Sequence, residues 1–222
     1  MDVSGFLANA NWGLLLLGYP VLLLALTVHE CAHAWTADRM GDSTARLLGR
    51  VTLNPVAHMD LFGTVLFPIM AFLYQIPLIG WARPVPVNPL HLQRPSRDNM
   101  LISLAGPLSN LGLAGLLFLV YAVLKLSGAA YRLPEMFADP LLTFFVYGVY
   151  INMMLMVFNL LPVPPLDGSH IVEHFLPASL KPVYEQIQPF GFFILMLLFI
   201  SGILRIVISP VLHLVGLLFA FV

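Results

Sequence analysis

His29-Glu30-Cys31-Ala32-His33 sets two imidazoles four positions apart with a carboxylate beside the first. On a helix, residues i and i+4 share a face, so both rings can reach one metal ion while the glutamate stands next to it. The chemistry open to such a set is zinc-assisted hydrolysis, with two histidines and a third protein ligand on the ion and the glutamate as proton carrier. The pentapeptide ends a long apolar run, where ionisable side chains are costly unless something satisfies them. A metal ion would satisfy all three groups. Two packing histidines bonded to backbone carbonyls are the alternative.

A catalytic zinc takes three protein ligands and keeps a fourth position for water. Asp167, in Pro162-Val163-Pro164-Pro165-Leu166-Asp167-Gly168, is the obvious third ligand, although Asp-Gly is also a common turn dipeptide. His170 and His174 follow closely and are read as facing the cytoplasmic interface rather than as ligands. Asn152 and Asn159 lie seven residues apart on one helix and share a face within about 20°. Unpaired amides are costly in lipid, so that face points inward. From there Asn159 can aim its amide at a carbonyl oxygen held on the metal, the oxyanion-hole role, or make an inter-helix hydrogen bond. Asn152 and Asn110 are read as inter-helix amides, and His58 and Asp60 as loop polar residues with gating as the alternative. Cys31, the single cysteine, excludes an internal disulfide and is read as a small packing residue.

The elements that position these groups must be membrane helices. The chain is 59% apolar and 9% charged, against roughly 25% charged in an average soluble domain. Its basic residues are scattered and the net charge is −1, which leaves no electrostatic footprint for nucleic acid. Apolar segments fall at 12–38, 61–79, 100–125, 141–161 and 190–222, and about 20 apolar residues suffice to cross the hydrocarbon core. Pro20 can start the helix that bears His29 and His33, after a short amphipathic piece at 5–18. Small residues in 100–125 (Ser103, Ala105, Ser109, Gly112, Ala114, Gly115) suit close helix packing.

His33 and Asp167 both sit at C-terminal helix ends, so they meet only if their helices run parallel and the chain between crosses the membrane an odd number of times. Segment 100–125 supplies that crossing, and 61–79, interrupted by Pro68, Gln75 and Pro77, is then re-entrant or interfacial. The basic residues agree. None precedes residue 39, whereas Arg39, Arg46, Arg50, Arg83, Arg94 and Arg97 flank the re-entrant piece, which places the N-terminus outside and the site toward the cytoplasm. In 190–222, Arg205 and Pro210 suggest one span plus a short terminal piece.

The fold expected is therefore an all-α, polytopic helical bundle of about four full spans plus a re-entrant segment. A small β-like extended region near the cytoplasmic face is expected from residues 46–52, 54–60 and the proline-rich 81–89, since proline holds its predecessor extended. This region could offer an edge to which a substrate adds as a strand. The expected organisation is one membrane-embedded domain over 1–222, with a core at about 12–180 and a C-terminal membrane segment at about 187–222. The first segment is read as retained, and no soluble module such as a PDZ domain is expected.

The residues His29-Glu30-x-x-His33, Ala105-Gly106-Pro107-x-x-Asn110 and Asn159-x-x-Pro162-x-x-x-x-Asp167-Gly168, in that order, resemble the site-2 proteases, intramembrane zinc metalloproteases of peptidase family M50. The match is to their short branch without a PDZ domain, which 54–60 and 81–89 also resemble. One difference is local: where the family often has Gly or Ser then Arg after Asp-Gly, this chain has Ser169-His170. The resemblance implies one catalytic Zn²⁺ on His29, His33 and Asp167, with Glu30 as base and Asn159 stabilising the intermediate. It also implies a substrate that is the transmembrane segment of another protein within the lipid bilayer, and a multi-pass location in the cell membrane with the site toward the cytoplasm. A zinc-binding scaffold or metal transporter without proteolysis is the alternative use of the same ligands.

Overall fold

The computed structural model describes residues 14–74 and 80–222. A π-helical turn at Leu14–Gly18 leads into α1, Tyr19–Arg39, with Pro20 in the first turn, where its missing N–H costs nothing. The short α2, Phe67–Tyr74, follows a π-helical Leu61–Leu66. The long α3, Pro95–Leu126, and α4, Glu135–Asn159, are succeeded by α5, Asp167–Phe175, and α6, Lys181–Ile187. The chain closes with α7, Gly191–Ile200, and α8, Ile203–Ala220. It is an all-α polytopic membrane protein, with five stretches among the described residues long and apolar enough to span: Leu15–Arg39, Pro95–Leu126, Glu135–Asn159, Lys181–Ile200 and Ile203–Ala220.

The C-terminal region thus holds two helices of spanning length rather than one span and a short piece. The break falls at Gly202, whose φ of 78° suits a residue without Cβ, whereas Pro210 stays inside α8. Membrane helices accommodate an interior proline because neighbouring groups re-satisfy the freed carbonyl. Leu61–Tyr74 is apolar but shorter than a span. Residues 75–79, the rest of the expected re-entrant piece, and 5–13, most of the expected amphipathic entrance, lie outside the described residues.

Three helices build the scaffold. His33 meets Ile102, Ala25 meets Asn110, Asn110 meets Asn152, and Leu117 lies against Gly148. Numbers fall along α1 and along α4 as they rise along α3, so both helices are antiparallel to α3 and parallel to each other. That is the relation required for His33 and Asp167 to meet at one depth. The buried stripe of α3 runs through Ser103, Gly106, Asn110, Ala114, Leu117 and Tyr121 at helical spacing. Gly112 and Gly115, although small, face outward with nothing within 4 Å of where a Cβ would sit.

Among the described residues there is no strand. Residues 46–52 instead wind through a helical turn at Thr44–Leu47 and a reversal at Gly49, where φ is +69°. Local i to i+4 bonding wins there because no neighbouring strand offers a ladder. Residues 80–88 have neither helical nor strand pairing and form a strap across α1. Its ends are pinned: Trp81 stacks near Phe67, with centroids 5.0 Å apart, and Asn88 donates its N–H to Asp42 Oδ2 at 2.7 Å. Ala82 packs with Leu22, Ala25, Leu26 and Leu155, and Val87 packs against Ala37, Leu92 and Ile102.

Asp42 is the hub of this loop region. Fully buried, it accepts from Thr44 Oγ1 at 2.5 Å, Thr44 N at 3.1 Å and Asn88 N, and lies 3.1 Å from His91 Nδ1. Burial alone would raise its pKa, but the hydrogen bonds from Thr44, Asn88 and His91 outweigh burial and hold it below the ordinary carboxylate range. Because the folded state then favours the anion more than the unfolded state does, this contribution is complete above the unfolded pKa near 3.9. It fades as pH falls through the lower folded value. Asp42→Asn is expected to destabilise the protein by about 2 kcal/mol at neutral pH, and melting in detergent should show the gap between variant and wild type narrowing below about pH 4.

Candidate metal centre

His29 and His33 project from the C-terminal half of α1, both buried, and Asp167 opens α5 after the turn at residues 161–166. His29 Nε2 and His33 Nε2 are 3.0 Å apart, and the two Asp167 oxygens lie 3.2 Å from His29 Nε2 and 3.3 Å from His33 Nε2. A tetrahedral zinc with bonds of about 2.0 to 2.1 Å has ligand-to-ligand edges of about 3.3 Å. The two Nε2 atoms, and the carboxylate oxygen nearer to each, therefore stand at about the ligand-to-ligand spacing of such a site. Among the described residues this is the one cluster of three metal-capable side chains within reach of a single ion.

Hydrogen bonding around the rings fixes which nitrogen faces the cluster. His33 Nδ1 is 2.7 Å from the Ile102 carbonyl oxygen, which can only accept, so Nδ1 carries a proton and, in the neutral ring, Nε2 the lone pair. For His29 the reasoning passes through two amides. Asn152 donates to the Gly148 carbonyl at 2.8 Å, so its Oδ1 accepts from Asn110 Nδ2 at 2.8 Å. Asn110 Nδ2 also donates to the Ala25 carbonyl at 3.2 Å, which leaves Asn110 Oδ1 as acceptor for His29 Nδ1–H at 2.7 Å. Two imidazole lone pairs and a carboxylate thus converge, and Asp167 Oδ2 is buried without a hydrogen-bond partner. Three acceptors facing one another need a cation, and the donor set suits Zn²⁺.

Asn110 is therefore more than a packing amide: it orients a candidate ligand from a helix 81 positions away. Asn110→Ala is expected to weaken metal affinity by about 10- to 100-fold, measured by competition with a chromophoric chelator, with helix content unchanged by circular dichroism. Gly106 is a second residue whose role spacing alone does not disclose. A Cβ there would lie 2.6 Å from His29 Cε1 and closer still to the His33 ring, so only glycine lets α3 approach both imidazoles. Gly168 is similarly pressed against the Leu160 and Leu161 carbonyls, which tightens the turn that delivers Asp167.

Glu30 is buried beside these side chains and its Oε2 accepts the Val85 N–H at 3.1 Å. Asn159 is half-buried and its Nδ2 donates to the Leu155 carbonyl at 3.0 Å, one turn back on its own helix, rather than toward the ligand cluster. Asn152 makes the inter-helix bond expected of it. Asp60 caps Leu61–Leu66 by accepting from Phe62 N and Gly63 N, a structural task. His58 is buried, with Nε2 2.9 Å from the Thr52 carbonyl oxygen, while its own carbonyl accepts from Arg83 N at 2.8 Å. His170 and His174 line a separate cavity of about 260 Å³ with Ser96, Glu173 and Lys181. Cys31 is a partly buried free thiol.

Arg50, which the motifs do not single out, is buried and donates from its guanidinium to the Arg83 carbonyl. Burial pulls its pKa down, the Glu30 carboxylate opposes this, and the neighbouring Arg83 adds to the fall.

Comparison with known proteins agrees with a zinc centre. The sequence profile of peptidase family M50 matches residues 18–142 and 130–202. A Bacillus subtilis protein named as a candidate zinc metalloprotease, YwhC, is 38% identical over 192 residues, covering 86% of this chain and 84% of its own. Two mycobacterial proteins similarly named, both Rip2, are 30% identical over 190 residues in Mycolicibacterium smegmatis and 32% over 188 in Mycobacterium tuberculosis. Each match covers 82% of this chain and 66% of Rip2. No solved structure matches the chain. From the profile and the relative that it matches along most of both lengths, the chain belongs to peptidase family M50.

Proposed function

We propose that this protein is an intramembrane zinc metalloprotease that hydrolyses peptide bonds within or near transmembrane segments of other membrane proteins. The observation that carries the reading is the convergence of His29 Nε2, His33 Nε2 and the Asp167 carboxylate, each nitrogen within 3.3 Å of a carboxylate oxygen. In this reading the three residues hold one Zn²⁺. When bound, the ion supplies Lewis acidity, lowering the pKa of water toward about 7 and polarising the scissile carbonyl.

The chain's own groups do the rest. Glu30 takes the proton of the attacking water and returns it to the leaving amine. The apolar walls of α1, α3 and α4 limit bulk water, which strengthens each polar contact inside. Asn159 serves as the oxyanion donor after its amide turns away from the Leu155 carbonyl. A helical substrate hides its carbonyls in i to i−4 bonds and must unwind first, which Gly, Asn or Pro near the cleaved bond makes easier.

The reading includes a single domain over 1–222 with its core at about 12–180. It also includes a cell-membrane location with the site toward the cytoplasm, supported by the six arginines clustered at the ligand end of the helices. The test is reconstitution in bilayers with a transmembrane peptide substrate. Cleavage that stops on chelation and returns with Zn²⁺ is the expected result. Zinc binding without cleavage of any transmembrane peptide would favour a scaffold or transporter.

A further inference from the structure

The strap at residues 80–88 has an unusual inventory of hydrogen-bond donors. Pro84 and Pro86 carry no N–H, so within Pro84-Val85-Pro86 the Val85 N–H is the one backbone donor. It goes to Glu30 Oε2 at 3.1 Å. Two further donors of the strap are also committed, Arg83 N to the His58 carbonyl at 2.8 Å and Asn88 N to Asp42 Oδ2 at 2.7 Å. Arg50 grips the same stretch from the other side through the Arg83 carbonyl, and Ala82 and Val87 seat it in two apolar clusters. The middle of the strap is thus fixed at both flanks and delivers one N–H to the one carboxylate that the zinc ligands leave over.

We propose that this strap is the positioning element for the catalytic base: Val85 N–H clamps Glu30 Oε2 so that Oε1 is the oxygen free to exchange protons, with Arg50 as the residue that holds the clamp in place. The inference rests on the proposed protease reading and adds Val85 and Arg50 to its machinery. A carboxylate on a flexible two-carbon stem loses rotamer freedom when one oxygen is tied, and a base misplaced by about 1 Å costs about 100-fold in rate. The prolines explain how a segment without strand pairing stays in register: they remove donors that would otherwise pair elsewhere and stiffen the backbone in an extended form. The strap acts on the base and not on the metal ligands, so its loss should lower kcat while leaving zinc content and KM near their wild-type values.

The experiment compares Val85→Pro, which deletes the N–H, with Val85→Ala, which keeps it and reports the effect of the side chain alone. Both are purified at full length, reconstituted, and assayed for zinc content, kcat and KM on a transmembrane peptide. Val85→Pro is expected to retain about one zinc and to show kcat 10- to 100-fold below Val85→Ala, with KM within about twofold. Arg50→Ala should lower kcat about 10-fold with zinc retained, and Arg50→Lys, which can still donate one bond to the Arg83 carbonyl, should recover part of it.

Equal kcat for Val85→Pro and Val85→Ala, or a faster Val85→Pro, would overturn the inference, the latter because the strap would then be restraining the base. If Val85→Pro loses its zinc, the Arg50 pair decides. Full kcat in Arg50→Ala overturns the inference, and so does zinc loss in both variants, which would tie the strap to the metal centre. An inactive wild type overturns the functional reading and this inference with it, whereas an active wild type with indifferent strap variants overturns the inference alone.

Discussion

Glu30→Gln is expected to abolish measurable turnover, a fall on the order of 10³-fold or more, while the protein keeps its full complement of zinc. The amide has nearly the same volume and can still accept the Val85 N–H through its carbonyl oxygen, so strap and packing should survive. It cannot take a proton from water near neutral pH. The separation between lost chemistry and retained metal makes this variant informative, because a general loss of folding would remove both. Zinc by elemental analysis and cleavage of a reconstituted transmembrane peptide are the two measurements. Normal cleavage by Glu30→Gln would refute the assigned base.

Asp167→Ala should act in the opposite order, removing the metal first and the activity as a consequence. Outer contacts to a ligand are worth about 10- to 100-fold in affinity, so deleting a ligand outright should exceed that and leave well under one zinc per chain after dialysis. The loss should not unfold the protein, since the α1, α3 and α4 scaffold is held by Leu22, Ala25 and Leu155 on one side and by Ala114, Leu117 and Val149 on the other, apart from the ion. Two imidazole lone pairs 3.0 Å apart would then face each other without their carboxylate neighbour, which favours a proton or a water between them. Equilibrium dialysis against Zn²⁺ buffers checks the affinity. Stoichiometric zinc in Asp167→Ala at wild-type affinity would remove the carboxylate from the ligand set.

The parts of this structure that sequence discloses are those written in short spacing or in counting. His29 and His33 share a face because four residues are about one turn, and Asp167 joins them because two helices separated by one crossing must be parallel. Other features are set by partners far along the chain. Asn110 reads as a generic membrane amide until the network from Gly148 through Asn152 shows which way it points. The small residues Gly112 and Gly115, read as packing residues, face outward, while Gly106 lies under both imidazoles.

The extended chain expected at 46–52 does not form because a strand needs a neighbour, and here the chain meets a helical turn and a glycine reversal instead. Pro210 misleads because a membrane helix tolerates it, so that α8 continues to Ala220 and the C-terminal region holds two long helices. The proline-rich strap is legible as extended chain. That three of its N–H groups go to Glu30, Asp42 and the His58 carbonyl is a tertiary fact.

The most direct test of the metal centre is X-ray absorption at the zinc edge on the purified, catalytically active protein in bilayers. Two imidazole nitrogens and at least one carboxylate oxygen at about 2.0 to 2.1 Å are predicted, with the imidazole signature halved in a His33→Ala sample loaded at saturating Zn²⁺. A sulfur shell near 2.3 Å, which would bring in Cys31, or a histidine count unchanged by His33→Ala, would contradict the assignment.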